Sequence, residues 1–159
     1  MEVTNILILA NACLNVPFAF TTTISNIFIL TAIWKTPVLH TATNILVFGL
    51  ALSDLGVGLI SQPLGIFLST NLIGMEAAPI FQMFSGSLSA ISLLTITAIS
   101  VERYLALKLH LRHQELVTIK RIVYVLVLIW TCSIVAASSC LWYGVVLFYK
   151  AASPFIVMC

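Results

Sequence analysis

Four long apolar stretches, parted by short polar breaks, account for nearly the whole chain. They fall at about 6–34, 43–69, 77–109 and 119–147. Each is long enough to cross a hydrocarbon core of about 30 Å as a helix, with some tilt. Lys35-Thr36-Pro37 closes the first stretch, because a proline disfavours helix at the residue before it. Gly74 and Pro79 mark the turn between the second and third, and Glu76 is its charge. The remainder, 151–159, reads as the opening turns of a fifth helix, since so few residues cannot span a bilayer. The pattern predicts an all-α fold, a polytopic transmembrane helix bundle.

Within the stretches the polar residues are not scattered. Asn11, Asn15, Thr22 and Asn26 recur at helical spacing, which predicts one polar face turned toward other helices. Asp54, Gly58, Ser61 and Gly65 do the same in the second stretch, around its only charge. A carboxylate at that depth costs at least about 2.5 kcal/mol on insertion scales, so Asp54 must face the bundle and is a candidate ion or proton site. In the third stretch Ser85, Ser89, Ser92, Ile96, Ile99 and Arg103 alternate by four and three, a continuous stripe that predicts a central helix. Pro17 and Pro63 are expected to bend their helices. Trp130 lies mid-depth and reads as a helix-packing residue, whereas Trp142, Tyr143 and Tyr149 mark a membrane interface.

Composition settles the class. Hydrophobic residues make up 61% of the chain and charged ones 8%, with a mean hydropathy of +1.15, too apolar for a soluble domain of this size. The first stretch is too long for a cleaved signal peptide and lacks a basic flank. Cys13, Cys132, Cys140 and Cys159 show neither CxxC pairing nor metal spacing and are expected as small residues packed within helices. His40 reads as a plain interfacial residue. Ser85-Gly86-Ser87 carries no GxSxG context and no histidine at matching depth, so hydrolase chemistry is not indicated. Phosphate loops and dinucleotide fingerprints are missing, and the basic loop is too short for nucleic-acid binding.

The few charges set the orientation. Lys35, Arg103, Lys108, Arg112, Lys120 and Arg121 lie at one membrane side, and Lys150 is the sole basic residue at the other. The positive-inside rule places the Glu102-Arg103 end in the cytoplasm and the N-terminus outside. The stretch from Lys108 to Arg121, with His110, Arg112, His113 and Glu115, is the most hydrophilic of the chain.

One motif per helix, in order, now resembles the rhodopsin-like G protein-coupled receptors. Ser25-Asn26 before Ile27-Phe28-Ile29-Leu30 resembles the Gly-Asn of their first helix. Leu50-Ala51-Leu52-Ser53-Asp54 resembles the Leu-Ala-x-x-Asp of the second, Glu102-Arg103-Tyr104 the Asp/Glu-Arg-Tyr of the third, and Trp130 the tryptophan of the fourth. The likeness runs from about Phe20 to Trp130 and implies the first half of a seven-helix receptor in the plasma membrane. It implies a switch in which Glu102 holds Arg103 until activation, with Tyr104 facing a heterotrimeric G protein. It also implies a sodium-linked polar core of Asp54 and Ser92, with Asn26 hydrogen-bonding nearby. Gln82, Ser85 and Ser89 would face an extracellular ligand, and membrane lipid would surround the bundle.

Several positions depart from the pattern. Ala78 stands near the place of the family's helix-three cysteine, so the disulfide to the second outer loop is not expected. Ser85 stands where amine receptors carry an aspartate, which argues against a biogenic-amine ligand. The lost cysteine, a short outer loop at about 147–153, Leu39-His40-Thr41 and the run Arg112 to Thr118 are similar to the melanocortin, lysophospholipid and cannabinoid group. Gln82 and Ala78 nonetheless replace acids that melanocortin receptors use. Helices five to seven are missing from these residues, so the chain by itself is expected neither to signal nor to fold stably as a receptor. Two other classes compete. A four-helix scaffold of the tetraspanin or claudin kind needs a large outer domain with paired cysteines, and a transporter segment around Asp54 needs a second intramembrane charge or an inverted repeat. Neither feature is visible.

Overall fold

The computed structural model describes residues 2–70, 74–109 and 117–156. Helix α1 runs Glu2–Lys35. A short 3-10 turn, Pro37–Leu39, leads into α2, Ala42–Gly56, and the second span continues through a π turn, Val57–Ser61, into α3, Gln62–Ser69. After a 3-10 turn at Met75–Ala77 come α4, Ala78–Leu109, and α5, Ile119–Ile156. Four helical spans are long and apolar enough to cross a membrane. The chain is a multi-pass membrane protein.

Local chemistry fixes the breaks. At the first connection Asn44 Nδ2 donates to the Leu39 carbonyl at 2.9 Å, while the Thr41 hydroxyl accepts the Asn44 N–H at 3.3 Å and caps α2. His40 Nε2 lies 3.1 Å from the Ile33 carbonyl, so this interfacial histidine ties the connection to the last turns of α1. The π turn has a cause in Pro63. A proline there has no N–H for the Leu59 carbonyl and its ring presses on that carbonyl, so the preceding turn widens. α1 continues as helix through Pro17, whose own carbonyl accepts the Thr21 hydroxyl at 2.9 Å.

α1 packs on α2, the π turn and α3; α2 packs on α4 and α5; and α4 packs on α5. The seams are built from small and hydroxyl side chains around a few apolar ones. Leu46, Ala51, Leu88 and Ile91 are buried, as are Ser53, Ser87 and Thr95. Hydroxyls survive there by bonding backward along their own helix, Thr95 to the Ile91 carbonyl and Ser87 to the Met83 carbonyl, both at 2.7 Å. Outward lie Leu, Ile, Val and Phe in large numbers, as a lipid-facing surface requires.

Four expectations need correction. The residues after Gly144 do not form a short outer loop and a new helix; α5 continues to Ile156, since nothing from Val145 to Ser153 breaks a helix. Cys13, Cys132 and Cys140 are exposed on helix surfaces rather than packed inside, a position open to a thiol in a lipid-facing helix. The polar face of α1 is not uniformly inward: Asn11 is exposed and Asn15 half-buried, and they bond to each other, while Asn26 is buried. The Asp54–Gly58–Ser61–Gly65 face is split by the π turn. Asp54 meets α4, a methyl on Gly58 would lie 2.7 Å from Thr23 Oγ1 on α1, and one on Gly65 would lie 3.2 Å from Phe81 on α4. Cys159 and the loop residues His110, Arg112, His113 and Glu115 lie outside the described residues.

Candidate functional site: a polar core and a charged helix end

The polar core sits where α2 crosses α4. Ser92 Oγ donates to Asp54 Oδ1 at 2.8 Å, a hydrogen bond that joins the two helices. Ser53, fully buried beside Asp54, brings its hydroxyl to 3.0 Å from Ser92 Oγ and 2.8 Å from the Leu50 carbonyl. Gly56 keeps the crossing close, since a methyl there would press on Leu88 of α4 at 3.2 Å. Every donor in this cluster is a hard oxygen, the set suited to an alkali or alkaline-earth cation rather than to a soft metal. Among the described residues no group of three or more His, Cys, Asp or Glu could hold a metal.

Asn26 is not joined to that cluster. Its Nδ2 donates to the Thr22 carbonyl of its own helix at 2.8 Å. A short polar side chain on a helix reaches the carbonyl one turn back more readily than a neighbouring helix, which accounts for the difference from the expected bond near Asp54.

At the other end of α4 the neighbours Glu102 and Arg103 point apart in burial. The Glu102 side chain is 5% exposed and that of Arg103 66%, with Arg103 Nε 3.8 Å from Glu102 Oε2. This is an ion pair at contact distance, longer than a hydrogen bond, with one partner already facing outward. Glu102 borders a recess of about 750 Å³ between Thr41–Thr43 and Val117–Lys120. Tyr104 is exposed, and Lys108 Nζ lies 5.8 Å from its ring centroid in cation–π range.

The candidate ligand-facing residues share one end of α4. Gln82 and Ser89 are exposed and Ser85 half-buried, and both hydroxyls bond back along the helix, Ser89 to the Ser85 carbonyl at 2.9 Å and Ser85 to that of Gln82 at 3.4 Å. Trp130 is half-buried on α5. The stripe Ser85–Arg103 therefore borders the packing seam of α4, whose buried line is Leu88, Ile91, Thr95 and Glu102. Ser92 is where stripe and seam meet. Sequence reasoning missed Ser53 and Thr95; the adjacency of Ser53 to Asp54 inside the helix-two motif was the available signal.

Comparison with known proteins decides the family. Residues 25–159 match the model of the 7 transmembrane receptor (rhodopsin family). The chain belongs to that family. It is 32% identical over 111 residues to the adenosine receptor A2b of Gallus gallus, covering 69% of this chain and 33% of that receptor. Against dopamine receptor 2 of Drosophila melanogaster it is 29% identical over 120 residues, covering 73% of this chain and 22% of the relative. Against the 5-hydroxytryptamine receptor 2B of Dichotomyctere fluviatilis the figures are 29% over 116 residues, 70% and 25%. The chain thus spans about a fifth to a third of the length of these relatives. Neither a tetraspanin-like scaffold nor a transporter is favoured by these matches.

Proposed function

We propose that this chain is the membrane-spanning N-terminal part of a receptor that carries an extracellular small-molecule signal to a heterotrimeric G protein. The observation that carries the reading is the end of α4, where Arg103 stands exposed over a buried Glu102 within the residues that match the family. A guanidinium already turned outward is available to a partner, and the 3.8 Å contact to Glu102 is one that a partner's competing contact can replace. Tyr104 and Lys108 extend the same surface. Positive charges clustered at this end support its lying in the cytoplasm of a plasma-membrane protein, with the N-terminus outside.

Asp54 and Ser92 hold a sodium ion in this reading, supported by their all-oxygen donor set inside the membrane. The ligand approaches the end of α4 that bears Gln82, Ser85 and Ser89, and it lacks a basic amine because Ser85 offers no carboxylate. A second reading has a specific observation behind it. Dopamine and 5-hydroxytryptamine receptors are among the relatives, which favours an amine held by an acid elsewhere in the receptor. The likeness to the melanocortin, lysophospholipid and cannabinoid group retains Ala78 and the loop residues as its support but loses the short outer loop, since α5 is helical there.

The test is guanine-nucleotide exchange in membranes holding a receptor that contains these residues, with adenosine, dopamine and 5-hydroxytryptamine as probes. Exchange stimulated by at least one probe is expected to fall by about tenfold or more in Arg103→Ala, a loss equal to about 1.4 kcal/mol of coupling. Stimulated exchange undiminished by Arg103→Ala would overturn the assignment.

A further inference from the structure

The hydroxyl cluster at the α2–α4 crossing has three contacts to serve and two hydroxyl protons to serve them. Ser53 Oγ lies 2.8 Å from the Leu50 carbonyl and 3.0 Å from Ser92 Oγ, and Ser92 Oγ lies 2.8 Å from Asp54 Oδ1. Each serine donates once and accepts on its lone pairs, whereas a carboxylate and a carbonyl only accept. Two arrangements follow. In the first, Ser53 donates to Ser92 and Ser92 donates to Asp54, leaving the Leu50 carbonyl without a hydroxyl donor. In the second, Ser53 donates to the Leu50 carbonyl and Ser92 donates to Ser53. Ser92 then turns only lone pairs toward the Asp54 carboxylate, and two electron-rich oxygens at that distance repel unless a cation lies against both. The contacts are the same in both arrangements, so the change needs hydroxyl rotation and no movement of either helix. Ser53 is what makes the second arrangement available. It is fully buried, and after the Asp54 carboxylate its hydroxyl is the side-chain acceptor nearest to Ser92 Oγ.

We propose that Ser53 is a positioning residue that sets how tightly the Asp54–Ser92 pair holds sodium, by accepting the Ser92 proton when the cation binds. The inference rests on the reading of Asp54 and Ser92 as a cation-holding pair. Without Ser53, the Ser92 proton has Asp54 as its nearest acceptor and competes with the cation for it.

The experiment is a sodium titration of thermal unfolding. A receptor that contains these residues is held in nanodiscs of zwitterionic lipid, sodium chloride replaces choline chloride at constant ionic strength, and tryptophan fluorescence reports the midpoint. The midpoint is expected to rise with sodium, and in Asp54→Asn to stay flat. In Ser53→Ala the half-saturating sodium concentration is expected to increase about tenfold, the cost of losing one buried hydrogen-bond acceptor. Ser53→Cys, which keeps the shape but accepts weakly, should fall between the two. In a Ser92→Ala background, Ser53→Ala should make no further difference, because the proton it accepts is gone. A merely structural Ser53 would lower the sodium-free midpoint and leave the half-saturating concentration unchanged. If Ser53→Ala or Ser53→Cys titrates like the parent while Asp54→Asn is flat, the role of Ser53 is overturned and the cation site stands. If the parent itself does not respond to sodium, the cation reading fails and the role of Ser53 falls with it.

Discussion

Two glycines show how single atoms hold the bundle together. At Gly58 an added methyl would lie 2.7 Å from Thr23 Oγ1 and 3.4 Å from the Ala19 carbonyl, against a β-branched side chain and a helix backbone. At Gly49 it would meet Leu126 Cδ2, also at 2.7 Å, but that is the free end of a flexible side chain. Gly58→Ala is therefore expected to destabilise by about 1–3 kcal/mol, as overpacking does. Gly49→Ala should be nearly neutral, because about 1 kcal/mol of helix propensity offsets the shift of Leu126. Thermal midpoints of the two variants in the same lipid check this; equal losses would contradict it. At this scale the sequence showed that Asp54 had to face the bundle, and its cost in lipid made that legible. It did not show the partners of Asn26, which bonds along its own helix, nor the importance of Ser53. A serine beside an acid has no periodic signature, and only the crossing angle of two helices brings it to Ser92.

Among the elements, the π turn at Val57–Ser61 sets how the rest of the second span faces its neighbours. One extra residue in a turn rotates everything beyond it by about 100° relative to an unbroken helix, so the facing of the residues after Ser61, Gly65 against Phe81 of α4 among them, depends on it. Proline is the identifiable cause, so Pro63→Ala should restore the N–H to the Leu59 carbonyl and return the turn to α geometry. In a background with the native cysteines replaced by alanine, Gly65→Cys and Phe81→Cys should cross-link readily with a short bifunctional thiol reagent. Adding Pro63→Ala should reduce the yield several-fold; an unchanged yield would locate the cause elsewhere. The four spans were legible because length and hydropathy alone specify them, and α4 and the second span lie within a residue or two of expectation. A π turn is not legible from a four-three-four pattern that assumes an unbroken α-helix. The end of α5 was misread for a related reason, since Pro154 suggested a new start although a proline near a helix end need not begin one.

The whole molecule is organised by its two polar ends and the core between them. Family membership follows from the match over residues 25–159, and the motifs that carried the resemblance in sequence lie within the four spans or at the end of α4. Subfamily did not emerge from the residues, because the positions that depart from the pattern, Ala78 and Ser85, say what is missing rather than what binds. The receptor reading depends on one geometric claim above others: the connection at Pro37–Leu39 and the exposed Arg103 lie in the cytoplasm, and the turn at Gly74 lies outside. Val38 and Gly74 are both exposed on opposite sides of the second span. The most direct measurement is labelling of single cysteines at Val38 or Gly74, in a cysteine-free background, with a membrane-impermeant maleimide on intact cells. Gly74→Cys should label at once and Val38→Cys only after permeabilisation; the reverse pattern would turn Arg103 away from any G protein and contradict the account.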